Sequence, residues 1–472
     1  MENNELYDQS MAREILESDT ILFTPFEEDG LLLWENTETS VDNLLELIDE
    51  VDEPAKEQEP AKKAPKEDTP SEKEPTGKAG PDPEEPDEEP TIVDAPERKK
   101  VTPWSVVWKI TIFVARMALG VALAIGILVL GLLGYLTVTE YNPAYAETAD
   151  RGSVNRSETI TSRSLSILTF NTGYGGLNAD ADYYLDGGKG VLPESADVVE
   201  DNLAGIEGIL SLCDADFIFL QEVDMESDRS FATKQWLRYE YDLEDYESWF
   251  ALNHSCDYVP YPKGSHIGKV RSGLATYSKY GVASATRFSQ PNGYDWPARA
   301  TNMKRCLLVT RINIDDSEQQ LVLINVHMGD YEDEELRSQQ LQQLLELMEA
   351  EYAKGNFVIA GGDFNQTFPG CSAYVGNDPE LWEPKQLEQA PSGFHYAYDD
   401  SNPTCRLLNQ PYDPDSGATQ FYVVDGFLVS TNVTVNRVET QDYEFIYSDH
   451  NPVLLNFTLN FYDQENQNTT EE

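Results

Sequence analysis

Acidic, amide and imidazole residues recur at one kind of place in this 472-residue chain, the C-terminal ends of short apolar runs of strand length. Asn171 closes Leu-Thr-Phe-Asn, Glu222 follows Phe-Leu-Gln, and His327 ends Ile-Asn-Val-His. Asp363 and Asn365 sit in Gly-Gly-Asp-Phe-Asn-Gln, Asp425 in Val-Val-Asp-Gly-Phe, and Asp449 and His450 in Tyr-Ser-Asp-His-Asn-Pro. A carboxylate at the end of an apolar strand costs free energy unless it finds a cation or hydrogen-bond partners. Several converging carboxylates suit a hard divalent ion, which takes carboxylates, amides and waters. No pair of His or Cys has the local spacing of a zinc site. Taken singly, each residue also has a bland reading, as a surface turn, an Asx turn or a strand-end cap. Their joint order and shared strand context favour chemistry.

The elements that must position them are legible from periodicity. Strands are predicted at Ser166–Asn171, Phe217–Val223, Gly273–Ser278, Cys306–Ile314, Leu321–His327, Phe357–Asn365, Phe421–Val429 and Val453–Phe457. Helical spacing of apolar residues predicts helices at Ala196–Leu212 and Glu334–Tyr352. Strands alternating irregularly with helices imply mixed α/β layers.

Lys and Arg total 33 and Asp and Glu 85, a net charge of -52. The first hundred residues hold 10 basic and 31 acidic residues, a net of -21, which leaves -31 on the remainder. Neither part offers the broad basic footprint of a protein held on nucleic-acid phosphates, so non-specific nucleic-acid binding is not expected. The five cysteines, 213, 256, 306, 371 and 405, are odd in number and widely spaced, which excludes a disulfide scaffold. Residues 1–100 read as a disordered acidic tail, because Val51 to Pro96 is built from Pro, Glu, Lys, Ala and Asp. Apolar clusters such as Leu31-Leu32-Leu33-Trp34 are either sticky spots in that tail or a docking motif for a cytoplasmic partner.

Residues 101–138 read as a transmembrane segment with its core at 117–138, 22 uncharged residues without a polar face. At ~1.5 Å per residue such a run crosses a hydrocarbon layer of ~30 Å. Arg98, Lys99, Lys100, Lys109 and Arg116 precede the core, against Arg151 and Arg156 after it. This bias puts the N-terminus in the cytoplasm and the rest outside, in a cell membrane crossed once. Residues 139–164 read as a linker, 165–461 as the globular domain and 462–472 as a polar tail.

The series Asn171, Gln221-Glu222, His327, Gly362-Asp363-Phe364-Asn365, Asp425 and Ser448-Asp449-His450 resembles the endonuclease/exonuclease/phosphatase superfamily over about residues 165–461. The resemblance implies a four-layer α/β sandwich of two mixed β-sheets flanked by helices, and cleavage of phosphoester bonds with Mg²⁺ or Mn²⁺. It makes Glu222 the main metal ligand with Asn171 beside it, and Asp449 a further ligand. His450 becomes general base or phosphate contact, oriented by Asp425. Asp363 positions or deprotonates the attacking water, Asn365 donates to a phosphate oxygen, and His327 contacts the phosphate or protonates the leaving oxygen. The chemistry is coherent without the analogy, since a water nucleophile needs a base and an Asp-oriented His suits that role.

Tyr174–Gly190 is either a plain surface loop or a substrate-recognition loop. Arg229 is expected to pair with Asp228, and Arg305 is a candidate phosphate clamp. The leading function is a membrane-anchored, metal-dependent phosphoesterase acting outside the cytoplasm, with the tether favouring a phospholipid headgroup or another surface phosphodiester. The alternatives are an extracellular nuclease and a non-catalytic binding or sensor module that retains the fold.

Overall fold

The computed structural model describes residues 23–28, 31–36, 102–329, 334–371, 381–414 and 419–461. The expected disordered tail lies, apart from two strands, outside the described residues, as does the C-terminal tail. The chain divides into two units, residues 1–126 and 127–472. In the first, β1 (Phe23–Glu28) and β2 (Leu31–Asn36) pair antiparallel. Helix α1 (Pro103–Val138) begins in this unit and ends in the second. Proline opens it, where a missing N–H costs nothing. Its 36 residues are long and apolar enough to cross a membrane by length and composition. The helix extends well before the 117–138 core expected from hydropathy.

The second unit is a sandwich of two seven-stranded sheets. One sheet is built on β5 (Ser164–Asn171) and β6 (Phe217–Asp224), which run parallel, joined by helix α2 (Ala196–Cys213). The rest of it is β7 (Glu247–Val259), β8 (Gly268–Ser278), β17 (Val433–Thr440), β18 (Val453–Leu459) and the short β4 (Asp150–Arg151), in the order β17-β18-β5-β6-β8-β7-β4. The other sheet repeats the plan. Its parallel pair is β11 (Gln320–His327) and β12 (Phe357–Asp363), joined by helix α4 (Glu334–Ala353). Around them lie β3 (Ala146–Thr148), β9 (Val282–Ser289), β10 (Cys306–Asn313), β13 (Phe394–Ala397) and β16 (Asp425–Ser430), in the order β13-β16-β12-β11-β10-β9-β3. Helix α3 (Gln235–Asp242) packs with α2 on the outer face of the first sheet.

Strand alternation builds the layers. Leu165, Ile167, Phe217, Phe219, Leu321, Leu323, Phe357 and Ile359 point between the sheets. Leu168, Phe170, Ile218 and Leu220 point to α2 and α3 instead, and Val322, Ile324, Val358 and Ala360 to α4. Strands covered on both faces need continuous apolar runs, which is why these strands are legible from hydrophobicity.

Two expectations change. Phe421–Val429 is two strands, since β15 (Phe421–Tyr422) pairs with β14 (Cys405–Arg406) before the chain turns into β16. Residues 139–164 are no free linker: β3 extends the edge of one sheet, β4 the edge of the other, and Ile160 is buried in the inter-sheet core.

Glu351 ties α4 to β10 through Arg311 at 2.7 Å and accepts from Asn356 at 2.8 Å. Burial opposes its charge, but Arg311, Lys354 and Asn356 outweigh burial and hold its carboxyl below the ordinary glutamate value. A lowered pKa stabilises the fold fully above the ordinary glutamate range, and that contribution is lost as pH falls through the folded pKa. Glu351→Gln should therefore cost about 1–3 kcal/mol at neutral pH, with the gap to wild type closing in acid, as read from urea midpoints across pH.

Candidate active site

Along the inter-sheet face, the apolar positions give way to polar ones toward the strand ends, at the same period of two. After Leu165 and Ile167 come Thr169 and Asn171, and after Phe217 and Phe219 comes Gln221. Leu321 and Leu323 lead to Asn325 and His327, and Phe357 and Ile359 to Gly361 and Asp363. Gln221 and Asn325 meet across the sheets, Nε2 donating to Oδ1 at 2.8 Å, and Asn325 donates in turn to the Ala275 carbonyl at 2.9 Å. This fully satisfied buried bridge is the floor of the site.

Asp363 is paired with His327 on one side and Asp425 on the other in strand register. Its backbone depends on Gly362, whose φ is +145° and where a Cβ would stand 2.0 Å from the Val326 carbonyl oxygen. Asp363 Oδ1 accepts from the Asn365 N–H at 2.8 Å, an Asx turn that holds Asn365 at φ 50°. The Asn365 amide donates to the Met328 carbonyl at 2.9 Å. His450 lies in the connection before β18 and donates from Nδ1 to Asp425 Oδ2 at 2.8 Å. Its Nε2 stands 3.8 Å from Asp363 Oδ2, and His327 Nε2 stands 3.6 Å from the same oxygen.

Glu222 reaches this face by an irregularity. Strict alternation would turn it away from Gln221, toward α2. Instead the β6–β8 register shifts between Leu220 and Val223, and Glu222 takes φ 55°. A bulge of this kind re-aims a side chain. Asn171 Nδ2 then links the acids, 3.5 Å from Glu222 Oε1 and 3.0 Å from Asp363 Oδ2. Asp449 faces Gly173, where a Cβ would lie 2.9 Å from Asp449 Oδ1. Glycine at 173 thus serves both a left-handed φ of +50° and the space beside this carboxylate.

The charges are uneven. Burial pushes the Asp363 carboxyl up to about 7, against the pull of His450. Burial would lower His450, but Asp425, Cys405 and Asp363 outweigh it and hold the imidazole well above its ordinary value. Burial and the neighbouring Arg305 hold His327 well below its ordinary value, and its ring is neutral. Burial raises Asp449, His450 opposes, and Glu222 raises it again, to about 6. Arg229, the cation near Glu222 at 4.0 Å, is committed to Asp224 by two hydrogen bonds of 3.0 and 2.9 Å. Two neighbouring carboxylates short of positive charge, with an amide alongside, form a donor set that fits a hard divalent ion. Asp363, Asp425 and His450 also bring ligand atoms within 4.8 Å of one another, but the Asp425–His450 hydrogen bond holds this group, and a metal there would break it.

Several placements differ from expectation. The Asn171 oxygen, expected toward a metal, accepts from the Gly173 N–H at 3.1 Å, and its nitrogen faces the acids. Arg229 pairs with Asp224 rather than Asp228, with its guanidinium 3.8 Å from the Tyr174 ring centre. Arg305 donates to the His327 carbonyl at 3.2 Å and so braces the site. Thr404 gave no signal in the sequence, yet its Oγ1 accepts from both the Val424 and Asp425 N–H groups, at 2.9 and 3.0 Å.

An oxygen donor set beside an Asp–His pair, at the strand ends of a two-sheet sandwich, fits a metal-dependent hydrolase. The Endonuclease/Exonuclease/phosphatase family profile matches residues 168–450, an interval that contains all eight site residues. The chain belongs to this family and is an enzyme of its class, a metal-dependent hydrolase of phosphoester bonds. Among solved structures it is similar to the endonuclease/exonuclease/phosphatase from Beutenbergia cavernae DSM 12333, at 17% identity over 63% of this chain and 72% of that one, with a TM-score of 0.45. D. rerio TDP2 complexed with single strand DNA product matches at 18% identity over 62% of this chain and 99% of that one, TM-score 0.38. The human nocturnin catalytic domain with bound sulfate matches at 16% identity over 66% and 97%, TM-score 0.38. No curated protein matches the chain.

Thr404→Val should leave two buried N–H groups unpaired and cost about 1–3 kcal/mol, read as a lower urea midpoint with unchanged slope.

Proposed function

We propose that the chain is anchored in a cell membrane by α1, N-terminus in the cytoplasm, and hydrolyses a phosphodiester outside it with Mg²⁺, Mn²⁺ being a substitute. The observation that carries this reading is the meeting of Asp425, His450 and Asp363 next to Glu222 and Asp449, in a chain that also holds a 36-residue apolar helix. The basic residues before Met117 support the orientation.

Glu222 and Asp449 would hold the ion, with Asn171 beside them, and its charge would offset the negative charge that builds on the phosphoryl oxygens. Asp363 sits at the centre of the cluster, where it orients the attacking water and receives its proton at Oδ2. Asp425 fixes the His450 ring through Nδ1, so that Nε2 points at the substrate side and contacts a phosphoryl oxygen. Asn365, half-buried at the mouth, keeps one amide hydrogen for the phosphate while the other holds Met328. Neutral His327, with no proton to give up, contacts the phosphate as an N–H hydrogen-bond donor. The -31 charge outside the tail disfavours a nucleic acid as substrate.

The test is hydrolysis of a chromogenic phosphodiester by the detergent-solubilised full chain. Wild type should turn over with Mg²⁺ and stop with EDTA. Glu222→Gln and Asp449→Asn should each demand about tenfold or more Mg²⁺, because an amide lacks the charge that offsets dehydration of the ion. Turnover untouched by EDTA would remove the metal from the mechanism.

Protease added to intact cells should cut the domain from 150 onward and spare the tail. A protected domain would reverse the topology.

A further inference from the structure

We propose that the catalytic domain rests on the bilayer that α1 crosses, through an apolar rim of Leu185, Leu192 and Trp296 around the end of that helix, and that its substrate is a phosphodiester carried by a lipid. This inference rests on the membrane reading of α1 above.

The end of α1 is part of the domain. Leu132 and Leu136 pack into a cluster with Cys256, Val259, Ile267 and Val270, and Leu136 is 3% exposed. The Tyr135 hydroxyl donates to Asp257 at 2.7 Å, and the Trp296 indole donates to Thr137 at 2.9 Å. No slack follows the helix. Glu140 pairs with Arg299 at 3.0 Å and Lys304 at 2.8 Å, and residues 146–148 already form a sheet edge. At ~1.5 Å of rise per residue, the domain surface begins within a turn or two of the last residue that lipid can cover.

That surface carries exposed apolar side chains beside its charged ones. Tyr184 and Val191 pack against the Leu132–Leu136 cluster, while their neighbours Leu185 and Leu192 are 50% and 42% exposed, and Trp296 is 53% exposed. Scattered exposed apolar side chains are ordinary. Trp296 bonds the helix end directly, Leu185 and Leu192 each follow a residue packed against it, and Trp is favoured where a membrane-crossing helix emerges.

The rim and the active site share one loop. Tyr184 touches the helix-end cluster and stacks edge-on with Tyr183 at 4.9 Å, while Tyr183 packs with Tyr174, the residue under Arg229. Arg406 clamps the same loop by donating to the Asn178 and Ala181 carbonyls at 2.6 and 3.0 Å, and its own N–H holds the Asp449 carbonyl at 3.0 Å. A surface seated on lipid therefore holds the loop beside the site against the membrane, which favours a headgroup phosphodiester as substrate.

The test uses the full chain in phosphatidylcholine vesicles. Trp296 fluorescence, taken as the difference between wild type and Trp296→Phe, should be quenched by phosphatidylcholine brominated near the headgroup end of its chains. Leu192→Glu should lower hydrolysis of a vesicle-borne phosphodiester lipid by about tenfold or more and leave turnover of a water-soluble chromogenic diester unchanged. Unquenched Trp296, or wild-type rates of Leu192→Glu on the vesicle-borne lipid, would overturn the proposal. If wild type cleaves neither substrate, the phosphodiesterase reading fails, and the quenching of Trp296 alone decides whether the rim sits in lipid.

Discussion

The hydrogen bond between His450 and Asp425 crosses from one sheet to the other. Asp425 opens β16 of one sheet, His450 stands just before β18 of the other, and 2.8 Å separates Nδ1 from Oδ2. Asp363 and Asp425 face each other directly across two paired strands, an arrangement that like charges oppose. The imidazole between them is what makes two nearly fully buried carboxylates tolerable there. The site thus exists only when both sheets are packed in one register, and the inter-sheet core of Phe217, Phe219, Phe357 and Phe427 enforces that register.

Much of this was legible in the sequence because both sheets are covered on their outer faces. Strands such as Leu321–His327 and Phe357–Asp363 read as unbroken apolar runs ending in a polar residue, and the polar endings mark the site. What escaped has physical reasons. Strands β7 and β9 mix Ser, Asn, Thr and Arg with their apolar residues, so no run stands out, and β17 alternates with charged residues at a sheet edge. The bulge that turns Glu222 inward leaves no compositional mark, since its cause is the pairing with β8, which is distant in sequence. Arg229 found Asp224 rather than its neighbour Asp228 because Asp228 is turned to the backbone of Lys269, at 2.7 Å. Thr404 acts only through its hydroxyl on two backbone groups twenty residues away, a relation that no local pattern encodes.

If α1 anchors the chain as proposed, the stretch between α1 and β5 decides how closely the domain is held to it. A flexible linker would let the domain sample a large volume, and lipid would be one substrate source among others. Here the stretch supplies an edge strand to each sheet and the buried Ile160, so it is built into the domain. A short tether raises the effective concentration of anything held in the same membrane.

The claim on which the account turns is that Asp425 and His450 act as one unit. A double-mutant cycle with Asp425→Asn and His450→Ala, read by single-turnover hydrolysis of a chromogenic phosphodiester at saturating Mg²⁺, measures it directly. The account predicts a loss of about a hundredfold or more for His450→Ala and little further loss in the double variant, since residues that act together are not additive. Independent, multiplying losses, or a wild-type rate in a folded His450→Ala protein, would contradict it.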